Sequence, residues 1–249
     1  MNKSSLKDAL ELQDYLAEFE AFHPVKHLID DSESTEHEHV YLNRLPQKIN
    51  DGSWTVLIIG PSGSGKDFLG GKLVRDGWLN IATTATTRPR RVNLPDQHDE
   101  SIDDYVWMDA TNLDVTNQEH RQQLIDQYEL IESDVHHGNL YGLPKQSLDK
   151  ALEKGHALIR TESEGAKVIH QKLKDKYNLL TVFVVPDSYD QLWNRISGRG
   201  QEIDRMLKSL EYVKEAKSLT NFFIHNTETV DGDKIHEMMT RLIRQWTKQ

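Results

Sequence analysis

The 249-residue chain contains no cysteine. That excludes a disulfide framework and any thiolate metal site. Basic residues are also short: 30 Lys and Arg stand against 40 Asp and Glu, a formal net charge of −10. Sequence-independent binding to nucleic acid needs a basic surface, so that class is set aside. Long hydrophobic runs are missing as well. The apolar stretch LLTVFVV (179–185) is far below the roughly 20 residues that span a bilayer, and the opening MNKSSLKDAL lacks the apolar segment of a signal peptide. The expectation is a cytoplasmic protein that engages neither membrane nor nucleic acid. Any anionic ligand must then be met by a local cluster of cations, so the positions of the arginines carry information.

What is present falls into two parts. Residues 1–50 hold ten acidic and five basic residues, half the net charge in a fifth of the length. Ser5 with Asp8 reads as a helix start, and Leu12, Leu16 and Phe19 mark one face, which predicts a helix over 5–21. DDSESTEHEH (30–39) reads as a solvated linker rather than a histidine metal site. This acidic extension is a candidate for binding a protein partner or for self-association. From Trp54 onward apolar strands alternate with helical stretches: WTVLIIG, then LNIATT (79–84), HALIRT (156–161), LLTVFVVP (179–186) and NFFIHN (221–226), with a last helix from about Lys234 to Trp246. That alternation predicts an α/β domain over 51–249, with a parallel sheet covered on both faces. It breaks between Ala85 and Pro144, where a smaller inserted subdomain is expected.

IIGPSGSGKDFL (58–69) lies between the first of these strands and a helix, with Gly60, four residues, Gly65 and Lys66. In such a loop, backbone N–H groups and a helix N-terminus point at phosphate, and the lysine adds a point charge. Gly60, Ser62, Gly63, Ser64, Gly65, Lys66, Asp67 and Phe68 are the candidate phosphate-loop residues. A Ser or Thr ordinarily follows the lysine, and its hydroxyl holds magnesium. Here the residue is Asp67, an oxygen donor that suits magnesium directly or through water.

Further stretches narrow the reading: TTRPRR (86–91), DDYVWM (103–108), ELIESDVHHGNLYG (129–142), NRISGRG (194–200) and FFIHN (222–226). In this order, after the loop, they resemble the guanylate kinase family over about residues 54–247. The resemblance implies a P-loop three-layer fold with an inserted mixed α/β monophosphate-binding subdomain (85–144) and a short lid (197–208). It implies ATP-dependent phosphorylation of a nucleoside monophosphate, GMP or dGMP, with Mg2+. Arg88, Arg91, Tyr105 and Tyr141 match the residues that hold the acceptor's phosphate. Glu132 and Thr84 match those that read its base. Arg195, Arg199 and Arg205 match the lid arginines that close on the triphosphate, although the lid segment is shorter than usual. Asn226 matches the residue beside the adenine of ATP. The chemistry agrees with these roles: arginine forks grip phosphate oxygens in pairs. A carboxylate accepts both the ring N–H and the exocyclic amine of guanine, a donor pair that adenine lacks.

Three departures keep alternatives open. Leu143 stands where the family has Ser or Thr. In IRTESEG (159–165), Arg160 and Glu162 stand where the family has two aspartates; Glu162 keeps the charge as a base-binding candidate, and Arg160 reverses it. Asp67 replaces the loop hydroxyl. Either the metal-binding carboxylate has moved from strand to loop, or Arg160 pairs with Asp67 and removes it from metal binding. Three readings stand: a kinase for GMP or dGMP, a kinase of the same fold for another acceptor such as a modified deoxynucleotide or a ribose phosphate, and a binding module without turnover.

Overall fold

The structure, a computed structural model, describes residues 40–61, 63–92, 99–136, 138–161, 163–186, 218–226 and 232–247. The helix expected over 5–21, the linker at 30–39, Ser62, Glu162 and the lid with Arg195, Arg199 and Arg205 lie outside the described residues. In chain order the described elements are β1 (Val40–Leu42), β2 (Trp54–Ile59), α1 (Lys66–Arg75), β3 (Asn80–Ile81), β4 (Ala85–Thr86), β5 (Val106–Trp107), α2 (Gln118–Gln127), β6 (Leu130–His136), β7 (Asn139–Pro144), α3 (Lys145–Lys154), β8 (Ala157–Arg160), α4 (Ser163–Leu173), β9 (Asn178–Pro186), β10 (Phe222–Asn226) and α5 (Gly232–Thr247).

Six strands form the main sheet, in the order β1-β10-β9-β2-β8-β3. The central strands are apolar on both sides, as a sheet covered on both faces requires. Alternate residues serve opposite faces. Val56, Ile58, Val182, Val184 and Ile224 pack with Leu69 and Leu73 of α1 and with Ile235 and Met239 of α5. Leu57, Ile59, Phe183, Val185 and Phe223 pack with Leu148 of α3 and with Ala166 and Ile169 of α4. Helices therefore cover both faces of the sheet, in three layers. None of the helices among the described residues is long and apolar enough to cross a membrane.

Two features depart from the sequence-based expectation. The sheet is parallel except at one edge, where β1 runs antiparallel to β10. The folded core thus begins before residue 51: Val40 is buried in the main core. Two buried asparagines fix the segment that follows. Asn178 Oδ1 accepts the Ile49 and Asn50 amides at 2.6 and 3.1 Å, and its Nδ2 donates to the Gly52 carbonyl at 3.0 Å. Asn221 Nδ2 donates to the Arg44 carbonyl at 3.0 Å. A chain begun at residue 51 would lose the edge strand and strip Asn178 Oδ1 of both its donors and Asn221 Nδ2 of the Arg44 carbonyl, a penalty of about 1–3 kcal/mol for each buried group left unpaired. Second, the strand within LNIATT (79–84) is shorter than expected: Asn80–Ile81 joins the main sheet, and the next strand, Ala85–Thr86, lies beyond that stretch in another sheet.

That second sheet has the order β5-β4-β7-β6. Its own small core joins Ala85, Met108, Val115, Leu124, Leu130 and Leu140. β7 belongs to both units, because Leu143 near its end is buried in the main core. The two sheets are joined through short segments on either side of β3–β4 and β7–α3, and the cleft between them opens at the carboxyl ends of β2 and β8. In open α/β sheets this is where ligands bind.

Candidate functional site

The loop after β2 is shaped by contacts that leave no room for side chains. A Cβ at Gly60 would meet the Val184 carbonyl oxygen at 2.6 Å and Ser64 Oγ at 2.7 Å. Gly65 has φ 95° and would strike Asn226 Nδ2. That same nitrogen donates to the Ser64 carbonyl at 2.6 Å, so the end of β10 holds the loop from the side. Gly63 has φ 83°, a left-handed conformation suited to glycine. Gly65 caps α1 without a side-chain hydrogen bond, which leaves the first N–H groups of the helix open toward the cleft. The Ser64 hydroxyl is fully buried and has no hydrogen-bond partner among the described residues. Lys66 opens α1, and Asp67 and Phe68 follow it, both well exposed.

Facing the loop is a cavity of about 540 Å³ lined by Thr84, Tyr105, Glu132, Tyr141, Arg160 and Asp67, among others. Four of the residues singled out from sequence for the acceptor therefore share one wall system. Local structure explains why. The register of β6 against β7 shifts between Leu130 and Ser133, an irregularity of the kind that re-aims side chains beside active sites, and Glu132 sits within it. A Cβ at Gly142 would meet the Glu132 carbonyl at 2.6 Å, so glycine there permits the close approach. Glu132 is partly exposed, and its carboxyl is pushed up to about 7, first by desolvation, then by the charge of Asp134, with Lys172 opposing. Lys172, whose Nζ donates to the Ile131 carbonyl at 2.6 Å, is the cation that acts on it, and desolvation outweighs that charge, a perturbation of the kind found at ligand sites.

Arg88 is positioned by stacking and by a carboxylate. Its guanidinium lies 5.5 Å from the Tyr105 ring centroid and 5.9 Å from that of Trp107. It donates to both Glu100 oxygens, at 2.6 and 3.1 Å. Glu100 Oε2 also accepts the Arg91 amide at 2.7 Å. The hydrogen bond to Glu100 holds Arg88 firmly protonated, and the Tyr141 hydroxyl pushes the same way. In return Arg88 holds the Glu100 carboxyl below its ordinary value of 4.5. The pair's stabilisation is present above that ordinary value and is lost only as pH falls through the lowered one. The two side chains are 11% and 18% exposed. Glu100→Ala, which leaves Arg88 unpaired in a desolvated position, is expected to lower stability by about 1–3 kcal/mol in urea titration at pH 7.

Arg160 reaches the same cavity from the end of β8. Its Nη1 lies 3.7 Å from Asp67 Oδ1, so the two departures from the family pattern are neighbours. Residues not singled out from sequence also line the cavity: Glu100, Asp104, Asp134, Thr161 and Glu164. Asp134 carried a usable signal, since residues two apart on a strand share a face with Glu132. Glu100 carried none, because it reaches Arg88 across a loop with no periodicity.

A mostly parallel sheet that feeds a glycine-rich loop onto a helix, with a second small sheet inserted after β3, defines a phosphate-loop α/β protein with a composite cleft. The Guanylate kinase family model matches residues 52–248. The chain belongs to the guanylate kinase family. It is 32% identical to a guanylate kinase of Prochlorococcus marinus subsp. pastoris over 179 residues, covering 69% of this chain and 88% of that one. It is 28% identical to a guanylate kinase of Clostridioides difficile over 186 residues, 72% of this chain and 82% of that one. The structure of a guanylate kinase from Anaplasma phagocytophilum superposes with a TM-score of 0.56 at 19% identity, over 81% of this chain and 89% of the other; that likeness speaks to the fold.

Proposed function

We propose that this protein transfers the γ-phosphoryl group of ATP to GMP, or to dGMP, giving ADP and the diphosphate. The observation that carries the reading is a single cavity that runs from the desolvated Glu132 carboxyl, past Tyr141 and Tyr105, to Asp67 on the phosphate loop's helix. Glu132, the two tyrosines and the start of the helix that follows the loop line that one space, which supports a base, an acceptor phosphate and a donor phosphate meeting there. A cytoplasmic setting is part of the proposal. The relatives named guanylate kinase lend no support to an acceptor other than a guanine nucleotide or to a module without turnover.

In this reading Glu132, ionised, accepts the ring N–H and amine of guanine, and Thr84 adds a hydroxyl at the base. Arg88, Arg91, Tyr105 and Tyr141 hold the acceptor's phosphate. One of its oxygens forms the new bond to the γ-phosphorus as the bond to the β–γ bridging oxygen breaks. The electron pair of that bond leaves with ADP. The acceptor phosphate is already ionised, so no general base is needed, and catalysis rests on positioning and charge neutralisation. The glycine-rich turn and the first N–H groups of α1, which have no partner within the helix, cradle the donor phosphates. Lys66 supplies a cation to them. Asn226 keeps the loop in shape and lies beside the donor site, with Phe68 exposed at its mouth. Arg195, Arg199 and Arg205 are assigned to lid closure, and Ser62 and Glu162 complete the loop and base sets.

The residues also fit magnesium. No group of three or more His, Asp or Glu that could cage a metal occurs among the described residues, but magnesium at such sites keeps its waters and leans on one or two carboxylates and the substrate's phosphates. Exposed Asp67, with one oxygen toward Arg160, would be the residue that holds the ion, directly or through water. When bound, the ion neutralises charge on the β- and γ-phosphates. Asp67→Ala is expected to raise the Mg2+ concentration for half-maximal turnover about tenfold, with Asp67→Ser restoring most of the loss; unchanged metal dependence in the alanine variant would remove Asp67 from the metal site.

A coupled assay of ADP formation across GMP, dGMP, AMP, CMP and UMP tests the function itself. Turnover confined to GMP and dGMP is expected. Preference for another acceptor, or turnover with none, overturns it.

A further inference from the structure

The cavity between loop and acceptor pocket is acidic. Asp67, Glu100, Asp104, Glu132, Asp134 and Glu164 line it, and Arg160 is the one basic side chain among its lining residues. An empty cavity tolerates this. A reaction that brings two phosphate groups into it does not, because like charges at close range repel by several kT in a poorly solvated space. Arg88, paired with Glu100, stands at the acceptor end and Lys66 at the donor end, and neither lines the cavity itself. Of the described cations lining the cavity, only Arg160 lies between them.

Its placement is built, not incidental. Arg160 pairs in register with Ile58 of β2, the strand that enters the phosphate loop. The last residue of β8 follows three buried ones and is itself exposed. Its stem lies along α1 at Gly70, where a Cβ would meet Arg160 Cδ at 3.1 Å and Cγ at 3.4 Å. Glycine at 70 makes space for that stem and directs the guanidinium toward Asp67, one turn nearer the helix start. The contact at 3.7 Å is longer than a hydrogen bond, and the side chains are 36% and 72% exposed. An ion pair so exposed contributes little to stability, so fold maintenance does not account for the arginine. A loosely held guanidinium keeps its donors for another anion.

We propose that Arg160 is a catalytic residue of this reaction: Asp67 holds its guanidinium at the loop, and during transfer it turns its N–H groups to the oxygens of the moving phosphoryl group. This rests on the GMP-phosphorylating reading above. The step is the transfer already written, in which the acceptor oxygen bonds to phosphorus and the bridging oxygen keeps the electron pair. Arg160 adds donors where negative charge spreads over the equatorial oxygens, and no proton changes hands. Asp67 would then have two tasks, positioning Arg160 and helping to hold the ion.

The test uses the full-length protein and its Arg160→Gln and Arg160→Lys variants. Steady-state kcat and KM for ATP and GMP are measured, with Tm and the affinity for a ternary complex of ADP, GMP and aluminium fluoride, a mimic of the phosphoryl group in flight. Arg160→Gln is expected to lower kcat about 100-fold while both KM values stay within about threefold. The aluminium fluoride complex should weaken by a similar factor with Tm unchanged, and Arg160→Lys should recover part of kcat. Wild-type turnover with Arg160→Gln within about threefold of it overturns the assignment and leaves the proposed function intact. A rise in KM with kcat unchanged also overturns it, since Arg160 would then bind ground states only. A wild-type protein inactive on every monophosphate overturns the function, and the assignment falls with it.

Discussion

Lys66→Ala is expected to lower kcat for GMP phosphorylation by about 10³-fold while leaving Tm within about 2 °C. Lys66 is the first residue of α1 and is only partly buried. Among the described residues it makes no ion pair, in contrast to Lys72, farther along the same helix, which pairs with Asp233 of α5. Its ammonium is thus available to the donor phosphates, and removing it leaves no orphaned partner in the fold. A unit charge about 4 Å from a phosphate oxygen is worth about 4 kcal/mol at an effective dielectric near 20, which corresponds to about 10³ in rate. Lys66→Arg should not rescue it, because the planar guanidinium is a fork rather than a compact charge. Steady-state kinetics with parallel thermal melts decide the matter. A kcat within tenfold of wild type would mean that the loop binds phosphate without contributing to transfer.

The contrast between Lys66 and Arg160 shows which parts of the site were legible from sequence. The phosphate loop was, because its chemistry depends on consecutive backbone groups and so on consecutive residues. The buried strands β2, β9 and β10 were also legible, as apolar runs covered on both faces. The first strand was not: Val40–Leu42 has three residues, and its pairing with Phe222–Ile224 joins positions about 180 apart that no local pattern connects. The acceptor residues Arg88, Tyr105, Glu132 and Tyr141 could be named through family resemblance, but their environment could not. Glu100 comes to Arg88 through tertiary structure, and the like charge of Asp134 acts on Glu132 across the face of one strand. Arg160 and Asp67 were suspected neighbours. That Gly70 makes room for the arginine's stem is information only coordinates hold.

Glu132→Gln should separate function from stability in opposite directions. The Glu132 carboxyl is pushed up to about 7, from the ordinary value of 4.5 that it has in the unfolded chain. Below both values the group is protonated folded or unfolded and contributes nothing to the difference. As pH rises between them the unfolded chain loses the proton first, so stability falls; above about 7 the penalty is fully present. Glutamine removes the charge and hence the penalty. Allowing for partial exposure, the gain is on the order of 1–3 kcal/mol at pH 8 and a few tenths of a kcal/mol at pH 4.5, an increase of several degrees in Tm at the higher pH only. Activity should move the other way. An amide offers one acceptor and one donor pair, so it cannot accept both guanine N–H groups, and its own N–H₂ faces a donor. Sites built to satisfy a specific polar group discriminate by about 10⁴ or more when the pairing is wrong; with part of the recognition carried by Arg88 and Tyr141, a loss of about 10³ in kcat/KM for GMP is expected. Adenine pairs an acceptor with a donor, which matches glutamine, so AMP should gain relative to GMP. In wild type, kcat/KM for GMP should rise with pH through about 7 and level off, because only the ionised carboxylate accepts both hydrogen bonds; in Glu132→Gln this rise should vanish. Thermal melts at pH 4.5 and 8, with kcat/KM for both monophosphates across that range, read all three effects. A variant that is less stable at pH 8 and keeps its preference for GMP would place Glu132 outside base recognition.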